Sequence, residues 1–74
     1  MIPAQSRAAR ELLGLTQEHL ADMADLSLST IQEFENGRSV DECLVATIEV
    51  ALEAAGVEFR DDNGELCVCL KKRQ

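Results

Sequence analysis

Residues 16–37 read TQEHLADMADLSLSTIQEFENG, two short amphipathic segments separated by a three-residue turn. Counting from Gln17, apolar side chains fall at Leu20, Ala24, Leu26, Ile31 and Phe34, with small Ala21 where the second segment must approach the first. Thr16 precedes the first segment and Ser27 the second. Each is a good N-cap, because its hydroxyl accepts from a free backbone N–H of the first turn. The spacing predicts a helix-turn-helix, in which the outward face of the second helix is free to enter a DNA major groove. The charge of the stretch opposes that use. Between Thr16 and Glu42 the only cation is Arg38, against Glu18, Asp22, Asp25, Glu33, Glu35, Asp41 and Glu42.

The two predicted helices need others to close a core. Pro3 to Leu13 reads as a helix: proline suits the first turn, and Gly14 the left-handed residue after the end. Ala9, Leu12, Leu13 and Leu15 form its inner side. The next helices span Gln17 to Ala24 and Leu28 to Glu35, the latter stopped by Asn36-Gly37. Asp25 falls where the turn most often needs a left-handed backbone, which Asp tolerates better than most residues. A fourth helix spans Asp41 to Ala55, acidic at its start in keeping with the helix dipole and ended by Gly56. Leu44, Ile48, Ala51, Leu52 and Ala55 keep helical spacing on it. Val45 and Val50 lie partly off that stripe, as flank packing or as a dimer contact.

After Gly56 the period changes to two. Residues 57–60 and 66–70 alternate around Asp61-Asp62-Asn63-Gly64, a strong turn signal, so a C-terminal β-hairpin is expected. Val57, Phe59, Leu66, Val68 and Leu70 should face the helices, and Cys67, Cys69 and Lys71 should face outward. Two strands alone are marginal, so the hairpin must dock on the helices or pair with another hairpin. The fold class is therefore mainly α: a four-helix domain with a helix-turn-helix over residues 1–56, then a hairpin and basic tail over 57–74. With 74 residues, the two parts should form one domain.

A domain of this size buries only about 60% of its unfolded surface, so dimerisation would add stability. The hairpin edge at Leu66, Val68 and Leu70 is the candidate contact, since symmetric strand pairing would give a four-stranded sheet. The net charge of −7 argues against non-specific attraction to polyanions. No apolar run approaches the roughly 18 residues that span a bilayer. The N-terminus lacks the apolar core of a signal peptide, so a cytoplasmic protein is expected. Three cysteines, an odd count, do not suit a secreted disulfide framework. The Cys67-x-Cys69 pair lacks the further ligands of a metal site, so all three thiols read as small apolar residues. His19 lies on the outer side of its helix with no nucleophile or carboxylate constellation around it, and the glycines are helix stops. No enzyme, metal, cofactor or small-molecule ligand is expected.

The residues R-E-L-L-G-L-T-Q at 10–17, L-S-x-S-T-I at 26–31 and F-E-N-G-R at 34–38 resemble the Xre-type, lambda-repressor-like helix-turn-helix regulators of bacteria and phages. The resemblance covers residues 4 to 56. The run A-L-E-A-A-G-V-E-F at 51–59 followed by D-x-N-G looks like a subgroup of short stand-alone members with a C-terminal hairpin. It implies a homodimeric transcriptional regulator that binds double-stranded operator DNA. Carried over by position, it implies that Leu28, Ser29, Gln32 and Glu33 lie along the base edges. Gln17, Thr30, Asn36 and Arg38 would contact phosphates, and Arg10 and Glu35 would form a buried structural pair.

Departures fall on the reading surface. The family usually carries Arg, Lys or Gln at the position of Leu28, and often a basic or amide residue near Glu33. Leu28 offers only an apolar contact to a thymine methyl, and Glu33 can accept from a cytosine amine while repelling phosphate. Leu28 thus reads as a base contact, a protein contact or an exposed leucine without a role. A largely uncharged backbone interface implies weak affinity and shallow salt dependence. The alternative function is an acidic helix-turn-helix module, adaptor or antitoxin-like, that engages a protein partner in place of DNA.

Overall fold

A computed structural model describes residues 1–62 and 64–71, apart from the side chains at 61, 62, 65 and 66. Four helices precede two strands: α1 Pro3–Leu13, α2 Gln17–Ala24, α3 Leu28–Glu35, α4 Glu42–Ala55, β1 Val57–Asp62 and β2 Glu65–Leu70. Three of the four helices begin at a residue whose side chain caps a free N–H group. Thr16 Oγ1 accepts from His19 N at 3.0 Å, Ser27 Oγ from Thr30 N at 3.3 Å, and Asp41 Oδ1 from Cys43 N at 2.9 Å. The fourth helix therefore starts one residue later than expected, because Asp41 acts as its cap. At α1, Gln5 Oε1 accepts from Ile2 N at 2.9 Å, and proline supplies the first turn. Gly14 at φ 70° ends α1, and Asp25 at φ 55° ends α2. Asp25 is the only non-glycine with positive φ among the described residues.

The core is aliphatic with one ring. Ala9, Leu20, Ala21, Ile31, Phe34, Ile48, Leu52 and Val57 are buried together, and Met1, Leu13, Leu15, Leu26, Val40, Val45, Ala51, Phe59 and Val68 pack around them. Helix α2 lies against α3 and α4, and α1 touches α3, α4 and both strands. The strands pair antiparallel from Val57↔Leu70 to Asp62↔Glu65. The pairing thus runs through Asp61 and Asp62, which the alternation had assigned to the turn. Asn63 and the tail at Lys72 and Arg73 lie outside the described residues. Lys71 locks the hairpin to the end of α4, its N–H donating to the Gly56 carbonyl at 2.8 Å and its Nζ to the Glu53 carbonyl at 3.1 Å.

Two expected placements differ. Leu12 is 46% and Leu70 54% exposed, although both were expected to face inward. The inner side of α1 turns toward Ser6, Ala9, Arg10 and Leu13, which leaves Leu12 at its margin. Leu70 sits opposite Val57, and it is Val57, directly following α4, that fills the buried slot. Cys67 and Cys69 pair with the exposed Arg60 and Glu58 on the outward side of the hairpin, as expected, and are half-buried there. Val45 proves to pack on the core, whereas Val50 is exposed.

The link between α1 and α3 is polar. Glu35, at the end of α3, is almost fully buried, with side-chain exposure of 1%. Arg10 grips it with Nε to Oε2 at 2.8 Å and Nη2 to Oε1 at 2.6 Å. Ser6 Oγ donates to Oε2 at 2.7 Å and Gln17 Nε2 to Oε1 at 3.1 Å. Arg7 Nη1 donates to the Glu35 carbonyl, and Arg10 Nη1 to the Leu15 carbonyl at 3.3 Å. One carboxylate therefore holds three elements. No buried side-chain nitrogen or oxygen among the described residues lacks a partner.

Truncating Glu35 would leave the Arg10 charge without its counter-ion and the inward-facing donors unpaired. Glu35→Ala is expected to cost about 3–5 kcal/mol, a large share of the roughly 4–11 kcal/mol that 74 residues supply at typical values. Urea unfolding followed by far-UV circular dichroism measures it; a loss below about 1 kcal/mol, the scale of a surface pair, would contradict the buried role. Asp25→Gly should raise the unfolding free energy from the same experiment by as much as about 1 kcal/mol, because glycine carries no left-handed penalty.

Candidate nucleic-acid interface

The α2–turn–α3 unit presents α3 with one side in the core and the other in solvent. Ile31, Phe34 and Glu35 point inward. Ser29, Gln32 and Glu33 are exposed, and Leu28 and Thr30 half-buried at the start of the helix. That division follows from helical spacing, since positions three and four apart share a side. Asn36 and Arg38 are exposed just beyond the end of α3. Among the described residues the Arg38 guanidinium has no ionic or hydrogen-bonding partner, so its charge is available.

Two of the expected phosphate-contacting residues already have protein partners. The Thr30 hydroxyl lies 2.8 Å from Ser27 Oγ, which is also 3.1 Å from Ser29 Oγ. A linked set of hydroxyls therefore shapes the first turn of α3. Gln17 is half-buried, and its amide nitrogen donates to Glu35. An amide NH2 has two hydrogens, so one remains for an acceptor outside the protein. The Glu35 bond sets where that second hydrogen points. It also brings the first turn of α2 beside the last turn of α3.

The network fixes the electrostatics of this end of the molecule. Burial pushes the Glu35 carboxyl up, but hydrogen bonds from Arg10, Ser6 and Gln17 and the adjacent Arg10 charge outweigh it, and the group is held below its ordinary value. The hydrogen bond to Glu35, opposed by burial and helped by its charge and that of Glu11, raises Arg10 above its ordinary value. Both stay ionised and cancel each other, so neither contributes to the outward field. What faces solvent on α2 and α3 is Glu18, Asp22 and Glu33 without a cation on either helix. Ser6 was missed from sequence, although it precedes Arg10 by four residues on the same side of α1.

Three further expected positions belong to the hairpin. Val68 packs against the chain's own core, Leu70 is exposed, and the Leu66 side chain is outside the described residues. No group of three or more possible metal ligands occurs among the described residues, nor any helix long and apolar enough to cross a membrane.

The model of the HTH_3 family, described as Helix-turn-helix, matches residues 7–54. No curated protein matches the chain. The matched stretch runs from the second turn of α1 to the last turn of α4, well over half of the sequence. The chain belongs to the HTH_3 helix-turn-helix family, of the Xre/Cro–C1 type, a DNA-binding and non-enzymatic family. The hairpin lies beyond the matched residues.

Because the Glu35 pKa is lower folded than unfolded, the unfolded chain binds the proton more readily. The stability contributed by this group is complete above the unfolded value near 4.5 and is lost as pH falls through the lower folded value. Urea midpoints measured from about pH 7 to pH 3 should therefore fall on acidification in the wild type, and less steeply in Glu35→Gln. Equal slopes would show that the carboxylate is not held in its ionised form.

Proposed function

We propose that the chain is a sequence-specific transcriptional regulator, a homodimer that represses by laying α3 in the major groove of its operator. The observation that supports this reading best is the exposed row Ser29, Gln32 and Glu33 on a rigidly held α3, with the uncommitted Arg38 just past its end. Gln32 is the specificity residue in this reading, since its amide can pair with the N6 and N7 edge of adenine. Leu28 contributes an apolar contact, and Glu33 selects a cytosine amine. Thr30, Asn36, Arg38 and the free hydrogen of Gln17 hold the phosphates. Two such helices would read half-sites about 34 Å apart.

The charge pattern gives this regulator a particular signature. If Arg38 is the main cation against phosphate, a dimer neutralises about two phosphates. Affinity should then fall only about tenfold between 50 and 200 mM salt, where six to ten contacts would cost a factor of 10³–10⁵. Specificity must come from neutral contacts rather than from attraction to the backbone. One observation favours a second reading: the acidic solvent side of α2 and α3 suits a basic protein partner as well as it repels DNA.

Fluorescence anisotropy with DNA from upstream of its own gene, beside scrambled DNA, separates the two. Preferential binding with a shallow salt slope, lost in Gln32→Ala while the unfolding midpoint is kept, is expected. Gln32 is the right probe because it is exposed, whereas Gln17→Ala would also disturb the Glu35 network. No binding at tens of micromolar in low salt would overturn the regulator in favour of a protein partner.

A further inference from the structure

We propose that the outer face of α4 is the homodimer interface and that it takes the α4 of a second copy antiparallel. This inference rests on the homodimer reading above and names its surface. Cys43, Ala46, Thr47, Val50 and Ala54 are all exposed. Their spacing of three and four puts them on one side of the helix, opposite the buried Ile48 and Leu52. Val50, at 63%, is the most exposed of the large hydrophobic side chains among the described residues. No charge interrupts this face in a chain with 14 acids. Glu42, Glu49 and Glu53 run along one flank of it.

The occupant follows from the two ends of the helix. At the N-terminal end Asp41 is fixed as the cap by its bond to Cys43 N, and Glu42 stands beside it. At the C-terminal end Lys71 is fixed by its bonds to the Gly56 and Glu53 carbonyls. Asp41 and Glu42 thus stand at one end of an uncharged strip that Glu49 and Glu53 flank, and Lys71 stands at the other end. Lys71 can meet the Asp41–Glu42 end of a second copy only when that copy runs in the opposite direction, as a two-fold axis across the helices requires. In that register position 43 meets 54 of the second copy, 47 meets 50, and Lys71 faces the Asp41–Glu42 end. Small Ala46 and Ala54 let the axes approach toward the 8 Å end of the usual range. Pairing through the backbone of the hairpin edge is the competing arrangement, and the variants below distinguish the two.

Sedimentation and cross-linking test the inference on the full chain. The wild type should sediment as a dimer of its 8.1 kDa chain at high micromolar concentration. Val50→Glu, an exposed position that leaves the fold intact by circular dichroism, should weaken that dimer by more than about tenfold through like charges meeting near the axis. In a Cys67→Ser, Cys69→Ser background, Ala54→Cys should form an interchain disulfide with Cys43 on mild oxidation. Cys43 alone should not, because the antiparallel register separates the two Cys43 residues by about 16 Å along the helix. A Val50→Glu protein that remains dimeric, with no Ala54→Cys cross-link, would overturn this interface and leave the homodimer standing through another surface. A wild type monomeric throughout would overturn both dimer claims, while the DNA titration still decides whether α3 reads DNA.

Discussion

Everything outward-facing here depends on one buried carboxylate. Glu35 is the last residue of α3, and the donors that neutralise it come from α1 and from the first residue of α2. A charge in that position is costly to bury unless fully hydrogen-bonded, so the three helices have little freedom to shift independently. The aliphatic core holds them together; the carboxylate decides their angle and register. The Gln17 amide shows this most directly. Its orientation toward solvent is a by-product of its bond to the same oxygen that Arg10 grips.

Helices, turns and strand pairing were legible in the sequence because each has a local cause. Caps at Thr16 and Ser27, the left-handed positions at Gly14 and Asp25, and the change of period after Gly56 all act within a few residues. Burial was less legible. Leu12 and Leu70 are as apolar as their neighbours, and only the rotation imposed on α1 by Ser6 and Arg10, or the prior claim of Val57, leaves them exposed. The partners of Glu35 lie 18 to 29 residues away in sequence, so composition and spacing alone do not reveal them. Resemblance to a family pointed to Arg10 and left Ser6 and Gln17 unassigned to the network.

The candidate interface shows a similar division. Which residues of α3 face outward follows from helical spacing once Ile31 and Phe34 are seen as core. What those residues contribute electrostatically does not, since the formal charges of Arg10 and Glu35 disappear into each other. The remaining outward field is acidic. A reading surface of this kind relies on hydroxyls, amides and shape, and the tight positioning of α3 matters more for it than for a strongly basic helix that could tolerate looseness.

Arg7 adds a consequence for the genetics of such a protein. Its guanidinium donates to the backbone carbonyl of Glu35, so α1 satisfies an end of α3 that would otherwise rely on water. Loss of that donor would loosen the junction between α1 and the end of α3. For a regulator that reads DNA through α3, as proposed above, changes in the first helix would then weaken recognition without altering any base-reading side chain.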